Sequence, residues 1–189
     1  MPLSRRILTL TLVLFAALLH GCAIRTPPYA PSVDNIDLAR HSGARPVALG
    51  SFVVGAGLDS GTRIGLRGAS MESSVGSDYA AYLAQALRQE LHLAGKLDPK
   101  STIEISGTLV GNDIAAAGIS TNSGYVEARF VVRSAGQVRY DAVKRAEASW
   151  DSSLMGAIAI PKAQQQYPAL VQMLLKALWS DPRFVAALQ

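Results

Sequence analysis

The spacing of apolar positions changes along the chain, and each change marks an element. Residues 7–19 form a largely apolar run. Residues 46–56, PVALGSFVVGA, are β-branched and apolar and predict a first strand. The Gly- and Ser-rich stretch that follows predicts a long loop up to Ser77, with a short extended piece at Arg63–Leu66. Over 78–94, Tyr79, Tyr82, Leu83, Ala86, Leu87 and Ala94 recur at i, i+3 and i+4, the spacing of an amphipathic helix. Ser77 is placed to cap its start and Gly95 to end it.

Strict alternation then predicts three strands. In 102–110, Ile103, Ile105 and Leu109 alternate with Thr102, Glu104 and Thr108. In 125–133, Val126, Ala128, Phe130 and Val132 alternate with charged Glu127, Arg129 and Arg133. In 137–150, Val138, Tyr140, Ala142, Ala146, Ala148 and Trp150 share one side, and Lys144 breaks the pattern. Ser134-Ala135-Gly136 suits a tight hairpin, whereas the small residues of 111–124 predict a longer, flexible connection. The end of the chain is helical. Pro161 can open a helix, Pro168 marks a kink or a fresh start, and Leu170, Val171, Leu174, Leu175 and Leu178 form a broad apolar face. Ser180-Asp181-Pro182 caps a last short helix over 183–188. The order β-α-β-β-β-α predicts an α+β domain, with an antiparallel sheet of about four strands and helices packed on one face.

The first 45 residues carry a different message. Arg5 and Arg6 precede the apolar run, and Gly21 and Cys22 follow it, which is the layout of a secretory signal. As a helix the run would span roughly 20 Å, short of the roughly 30 Å hydrocarbon core, so a permanent transmembrane helix is the weaker reading. Leu19-His20-Gly21-Cys22 resembles the bacterial lipobox at Leu19, Gly21 and Cys22, with His20 departing from the usual small or apolar residue. That resemblance implies lipid attachment at the Cys22 sulfur, cleavage between Gly21 and Cys22, and a membrane anchor of N-terminal acyl chains such as palmitate. Ala23, rather than Asp, after the cysteine favours the outer membrane over retention in the inner one. Residues 1–21 are thus expected as a signal peptide, 22–45 as a proline-containing flexible tether, and 46–189 as one periplasmic domain.

Composition narrows the chemistry. One cysteine in 189 residues excludes an internal disulfide and a site of several thiolates. The +4 charge shrinks at the expected cut: losing Arg5 and Arg6 leaves 16 basic against 14 acidic residues, no footprint for nucleic acid. Gly55-Ala56-Gly57-Leu58-Asp59-Ser60-Gly61 follows a strand but lacks both a third Gly or Ala at Ser60 and a Gly-Lys-Ser/Thr ending, so it is not a nucleotide loop. No GxSxG elbow occurs, and a Ser–His–Asp set would have to recruit His41 or His92. The expectation is a non-enzyme without catalytic, cofactor or metal residues. The charges Glu127, Arg129, Arg133, Arg139, Asp141, Arg145 and Glu147 describe a solvated sheet face or a polar docking surface.

The lipobox cysteine, the helix DYAAYLAQALRQELHLAGKL, the strand pair GYVEARFVVRSAGQVRYDAVKRAEASW and the tail YPALVQMLLKALWSDPRFVAAL together resemble the YajG-like family of small proteobacterial lipoproteins. The resemblance spans roughly residues 47–188 and carries no catalytic motif. It implies a lipid-anchored protein whose domain binds or scaffolds an envelope component, protein or lipid. The architecture is also similar to that of auxiliary lipoproteins of lipid transport and lipopolysaccharide assembly, in which role the 111–124 connection and the helix 169–178 would offer a partner surface or an acyl groove. An envelope hydrolase is the third expectation.

Overall fold

The structure is a computed structural model and describes residues 23–189. In chain order the elements are β1 (Ala23–Arg25), α1 (Val33–His41), β2 (Ala48–Val54), β3 (Arg63–Leu66), β4 (Ala69–Glu72), α2 (Tyr79–Leu93), β5 (Ile103–Ala115), β6 (Thr121–Ser134), β7 (Gln137–Asp151), α3 (Gly156–Trp179) and α4 (Pro182–Ala187). They form a four-stranded sheet ordered β2-β5-β6-β7 and a three-stranded sheet ordered β1-β4-β3. The architecture is α+β, as expected.

Alternation does its work in the larger sheet. Ile103, Ile105 and Leu109 of β5, Val126, Ala128, Phe130 and Val132 of β6, and Tyr140, Ala146 and Trp150 of β7 are all buried. They meet Leu83, Leu87 and Leu91 of α2 and Leu170, Leu174 and Leu178 of α3 in one core. The opposite face of the sheet is solvent-exposed and carries most of the strand charges, with Val53 and Val143 half-exposed among them.

The sheet is not wholly antiparallel. β2 lies parallel to β5, with Ala48 opposite Glu104 and Val54 opposite Leu109. The cause is α2, which lies between them in sequence. A strand–helix–strand path returns the chain to its starting end before it re-enters the sheet, so the two strands align.

The 111–124 connection is also mostly strand. Asn112 pairs with Val126, Asp113 with Tyr125 and Ala115 with Ser123, leaving only the turn at 116–120. A bulge between Leu109 and Gly111 shifts the register. The glycines there serve packing: a Cβ on Gly124 would sit 3.1 Å from both Leu170 Cδ1 and the Trp150 ring.

The Gly- and Ser-rich stretch after β2 holds a hairpin that composition concealed. Only Arg63–Leu66 was expected to be extended; β4 pairs with it, and Ile64, Leu66 and Met71 are fully buried. Arg67 and Gly68 close the turn at φ 48° and 84°, the left-handed pair that a two-residue hairpin needs.

Helix α2 starts on Asp78 rather than Ser77: the Asp78 carboxylate accepts from the Ala81 N–H at 2.8 Å. Helix α3 begins at Gly156, ahead of Pro161, and continues through Pro168. Each interior proline costs about 3 kcal/mol. Burial of Ala163, Tyr167, Leu170, Val171, Leu174, Leu175 and Leu178 offsets that, at about 1.5–3 kcal/mol for each large apolar side chain.

Lys144 broke the alternation of β7 for a reason. Its ammonium pairs with Asp181 Oδ2 at 2.7 Å, and the two side chains are only 19% and 6% exposed. Tyr140 donates to the same oxygen at 3.0 Å, and Asp181 Oδ1 caps α4 by accepting the Arg183 N–H at 2.8 Å. The Lys144 hydrogen bond, ahead of the others, holds the Asp181 carboxyl well below the usual carboxylate range. Asp181→Asn keeps a capping acceptor and loses the charge pair, so it is expected to cost about 1–2 kcal/mol; Asp181→Ala loses both, about 1 kcal/mol more. Because the folded value is depressed, the wild-type advantage is full above about pH 4, shrinks below it, and is lost as pH falls through the lower folded value. Urea unfolding of the three proteins at pH 7 and pH 3 measures both effects.

Candidate functional site

Gly21 and Cys22 lie outside the described residues, so the structure meets the expected anchor at its next residue. Residues 23–45 are not a tether. Ala23–Arg25 form β1, in parallel register with Ser70, Met71 and Glu72 of β4. Val33–His41 form α1, with Ser32 accepting from the Asn35 N–H at 3.4 Å. Between them the chain is fastened by hydrogen bonds. The Tyr82 hydroxyl donates to Pro27 O at 2.9 Å, Gln172 Nε2 to Ala30 O at 2.7 Å, and Thr26 N to Glu72 O at 2.8 Å.

A buried carboxyl organises this strap. Glu90, on α2, is fully buried, and its Oε1 accepts from the Tyr29 hydroxyl, from Asn35 Nδ2 at 3.1 Å and from the Ser32 N–H at 3.1 Å. Asn35 Nδ2 also donates to Gln172 O at 3.0 Å, tying α1 to α3. Glu90 Oε2 has no hydrogen-bond partner among the described residues. Desolvation pushes the Glu90 carboxyl up, against the lowering effect of its three donors. Burial, then Glu90 itself, pushes the Tyr29 phenol far above its ordinary value.

Four tyrosines stack behind this carboxyl. Tyr167 is fully buried, 4.6 Å from Tyr79 and 5.5 Å from Tyr82 between ring centres, and Tyr29 meets Tyr82 edge-on at 6.3 Å. Burial raises Tyr79 to about 12 and leaves all four phenols neutral near pH 7. The arrangement binds chain to chain; it offers no ionised nucleophile.

The outer sheet face carries the expected charges. Arg145 lies between Glu127 at 3.2 Å and Glu147 at 3.1 Å, with its guanidinium 3.8 Å above the Tyr125 ring. Arg129 grips Asp141 across the strands and holds its carboxyl below the ordinary range. Tyr125 is therefore on this wet face, whereas Tyr140 and Trp150 are core. A shallow hollow of about 440 Å³ opens beside Arg145, lined by Asp113, Ser123, Tyr125, Glu147 and Ser149.

The remaining sequence candidates do not assemble. His41 is exposed and bonds Asp37 O at 2.9 Å; His92 is exposed at the end of α2. The glycine-rich stretch after β2 makes a single 3₁₀ turn, Asp59–Gly61, followed by β3 and not by a helix. Leu170, Val171, Leu174, Leu175 and Leu178 are buried in the core, so the apolar face read on helix 169–178 is already packed within the domain. Among the described residues no group of three His, Cys, Asp or Glu is placed to hold a metal, and no helix is long and apolar enough to cross a membrane. Sequence reading missed Tyr29, Asn35 and Glu90. A signal existed for Glu90: it stands three residues after Leu87 and four after Ala86, inside the apolar stripe of α2.

No family model matches the chain, and no curated protein does. Solved structures do. XCC0632 of Xanthomonas campestris, assigned to family DUF330, has a TM-score of 0.55 at 13% identity, over 87% of this chain and 96% of its own. A provisionally named lipoprotein of Caulobacter crescentus CB15 has a TM-score of 0.46 at 9% identity, over 82% and 96%. The hypothetical protein CT253 of Chlamydia trachomatis has 0.47 at 12%, over 77% and 99%. At this identity the likeness to XCC0632 establishes one thing: the chain shares its α+β fold.

Proposed function

We propose that this chain is a lipid-anchored lipoprotein of the bacterial envelope, YajG-like in kind, whose single domain binds or scaffolds an envelope component and catalyses nothing. The observation that carries the reading is Leu19-His20-Gly21-Cys22 at the end of a 13-residue apolar run behind two arginines. The non-catalytic part is supported by how the buried polar groups are used: Glu90, Asn35 and Asp181 all hold one element against another. Ala23 rather than Asp after the cysteine favours an outer-membrane anchor, with the domain on the periplasmic side. The wild type is expected to incorporate radiolabelled palmitate in a bacterial host and the Cys22→Ala variant is expected not to. Equal labelling of the two proteins would sink the anchoring reading.

A further inference from the structure

We propose that the end of the domain from which the chain leaves toward Cys22 lies against the lipid bilayer, with Ile119, Leu154, Met155 and Ile158 in the acyl–headgroup boundary. The inference rests on the lipid-anchored reading above and adds a surface and an orientation to it.

The topology gathers four chain segments at this end. Ala23 pairs with Ser70, at the start of β4, so the first described residue sits beside the β3–β4 turn. Arg67 of that turn ties two further segments to it. Its guanidinium donates to the carbonyls of Ala116 and Gly118 in the β5–β6 turn. It also donates to Ser153 O at 2.9 Å and Leu154 O at 3.2 Å, in the link from β7 to α3. Arg67 thereby spends its charge on backbone carbonyls and holds the three connections together.

What these connections show to solvent is apolar. Ile119 is 68% exposed, Leu154 73%, Met155 63% and Ile158 53%. Residues 115–120, AAAGIS, and 152–161, SSLMGAIAIP, contain no charged side chain. Solvent-facing turns are normally polar, and clustered exposed apolar side chains mark a surface that something covers. The covering partner is indicated by where the chain goes. Cys22 is joined directly to Ala23, one Cα–Cα step of about 3.8 Å, so acyl groups on Cys22 would enter the bilayer next to these side chains. Each buried methylene adds about 0.8 kcal/mol of membrane affinity, so the tips work with the anchor and fix the tilt of the domain. The β6–β7 hairpin at the far end of the sheet then stands roughly 45 Å from the bilayer, at about 3.3 Å per strand residue.

The test uses the acylated, full-length protein in vesicles of phosphatidylethanolamine and phosphatidylglycerol. Acylated Cys22 carries no free thiol, so a single introduced cysteine takes an environment-sensitive fluorophore. Leu154→Cys and Ile119→Cys report on the proposed face; Val138→Cys, 53% exposed near the β6–β7 hairpin, is the control. Doxyl-labelled acyl chains are expected to quench the two face positions at least roughly threefold more than the control, because the tips reach acyl-chain depth. Equal quenching at Leu154→Cys and Val138→Cys, in protein that carries palmitate, would overturn the inference and leave the anchor standing. Crosslinking between copies at Leu154→Cys without lipid quenching would also overturn it, in favour of a second copy on this face. Thiol labelling of the parent protein at Cys22, with no palmitate, would instead remove the anchored reading on which the inference rests.

Discussion

Tyr167→Ala lowers the unfolding free energy by about 3–5 kcal/mol, the cost of emptying a fully packed aromatic site. Tyr167 is fully buried on α3, directly against Tyr79 and Tyr82 of α2. Removing its ring leaves a cavity bounded by two rigid rings whose own hydroxyls are committed. Tyr79 donates to Met71 O at 3.0 Å and Tyr82 to Pro27 O at 2.9 Å, so neither can tilt inward without losing a buried hydrogen bond. Tyr167→Phe keeps the ring and is expected to cost under about 1.5 kcal/mol. Urea titration followed by tryptophan fluorescence distinguishes them. A midpoint for Tyr167→Ala within experimental error of wild type would refute the account of the cluster as the centre of the helical layer.

Glu90→Ala is expected to cost about 2–4 kcal/mol and, before that, to loosen residues 23–45. The substitution strands the Tyr29 hydroxyl and the Ser32 N–H and takes one acceptor from Asn35, each a buried donor worth about 1–3 kcal/mol when left unmet. The strap has few other apolar anchors in its helix: within α1 only Asn35 and Ala39 are buried. Amide hydrogen exchange should therefore rise across 26–41 more than in β5 or β6.

Glu90→Gln separates shape from charge. The glutamine Oε1 accepts the same three donors but cannot ionise. Burial raises the folded pKa of Glu90 above the ordinary value of about 4.3. Below that value the carboxyl is protonated in both folded and unfolded chains, and its contribution is complete. As pH rises, the unfolded chain ionises first and the folded chain holds its proton, so stability falls until Glu90 ionises in the folded state. Wild type is expected to lose stability against Glu90→Gln as pH rises above about 4.3. A difference that stays constant over this rise would show that Glu90 is ionised throughout. Asp181 moves oppositely, so Glu90→Gln and Asp181→Asn together separate the two titrations.

The elements whose faces meet water on one side were legible in the sequence. Helix α2 and strands β5, β6 and β7 each expose one face and bury the other, and that asymmetry writes a period of 3.6 or 2 into the residues. Elements stabilised from outside were not. β1 and β4 are three and four residues long, too short to show a period, and they exist because each completes the other's ladder. The ends of β5 and β6 read as a flexible link because Gly111 and Gly124 look like flexibility in sequence and act as clearance for Tyr125 and Trp150 in three dimensions. Prolines 161 and 168 read as breaks because local cost is visible and tertiary burial is not.

The same division runs through the candidate sites. The expected anchor is read from sequence alone, since Cys22 follows a largely apolar run behind two arginines and that pattern needs no folded context. The sequence by itself also determined the polarity of the outer sheet face, because alternation assigns Glu127, Arg129, Arg145 and Glu147 to one side. Only the tertiary structure decided that residues 23–45 are packed, since the groups that hold them come from distant helices: Glu90 and Tyr82 on α2, Gln172 on α3. Only it could bring Ile119 and Leu154 to the end where the chain departs for Cys22. A hydrophobic period records contacts along one element, whereas a convergence of loops depends on where several elements end.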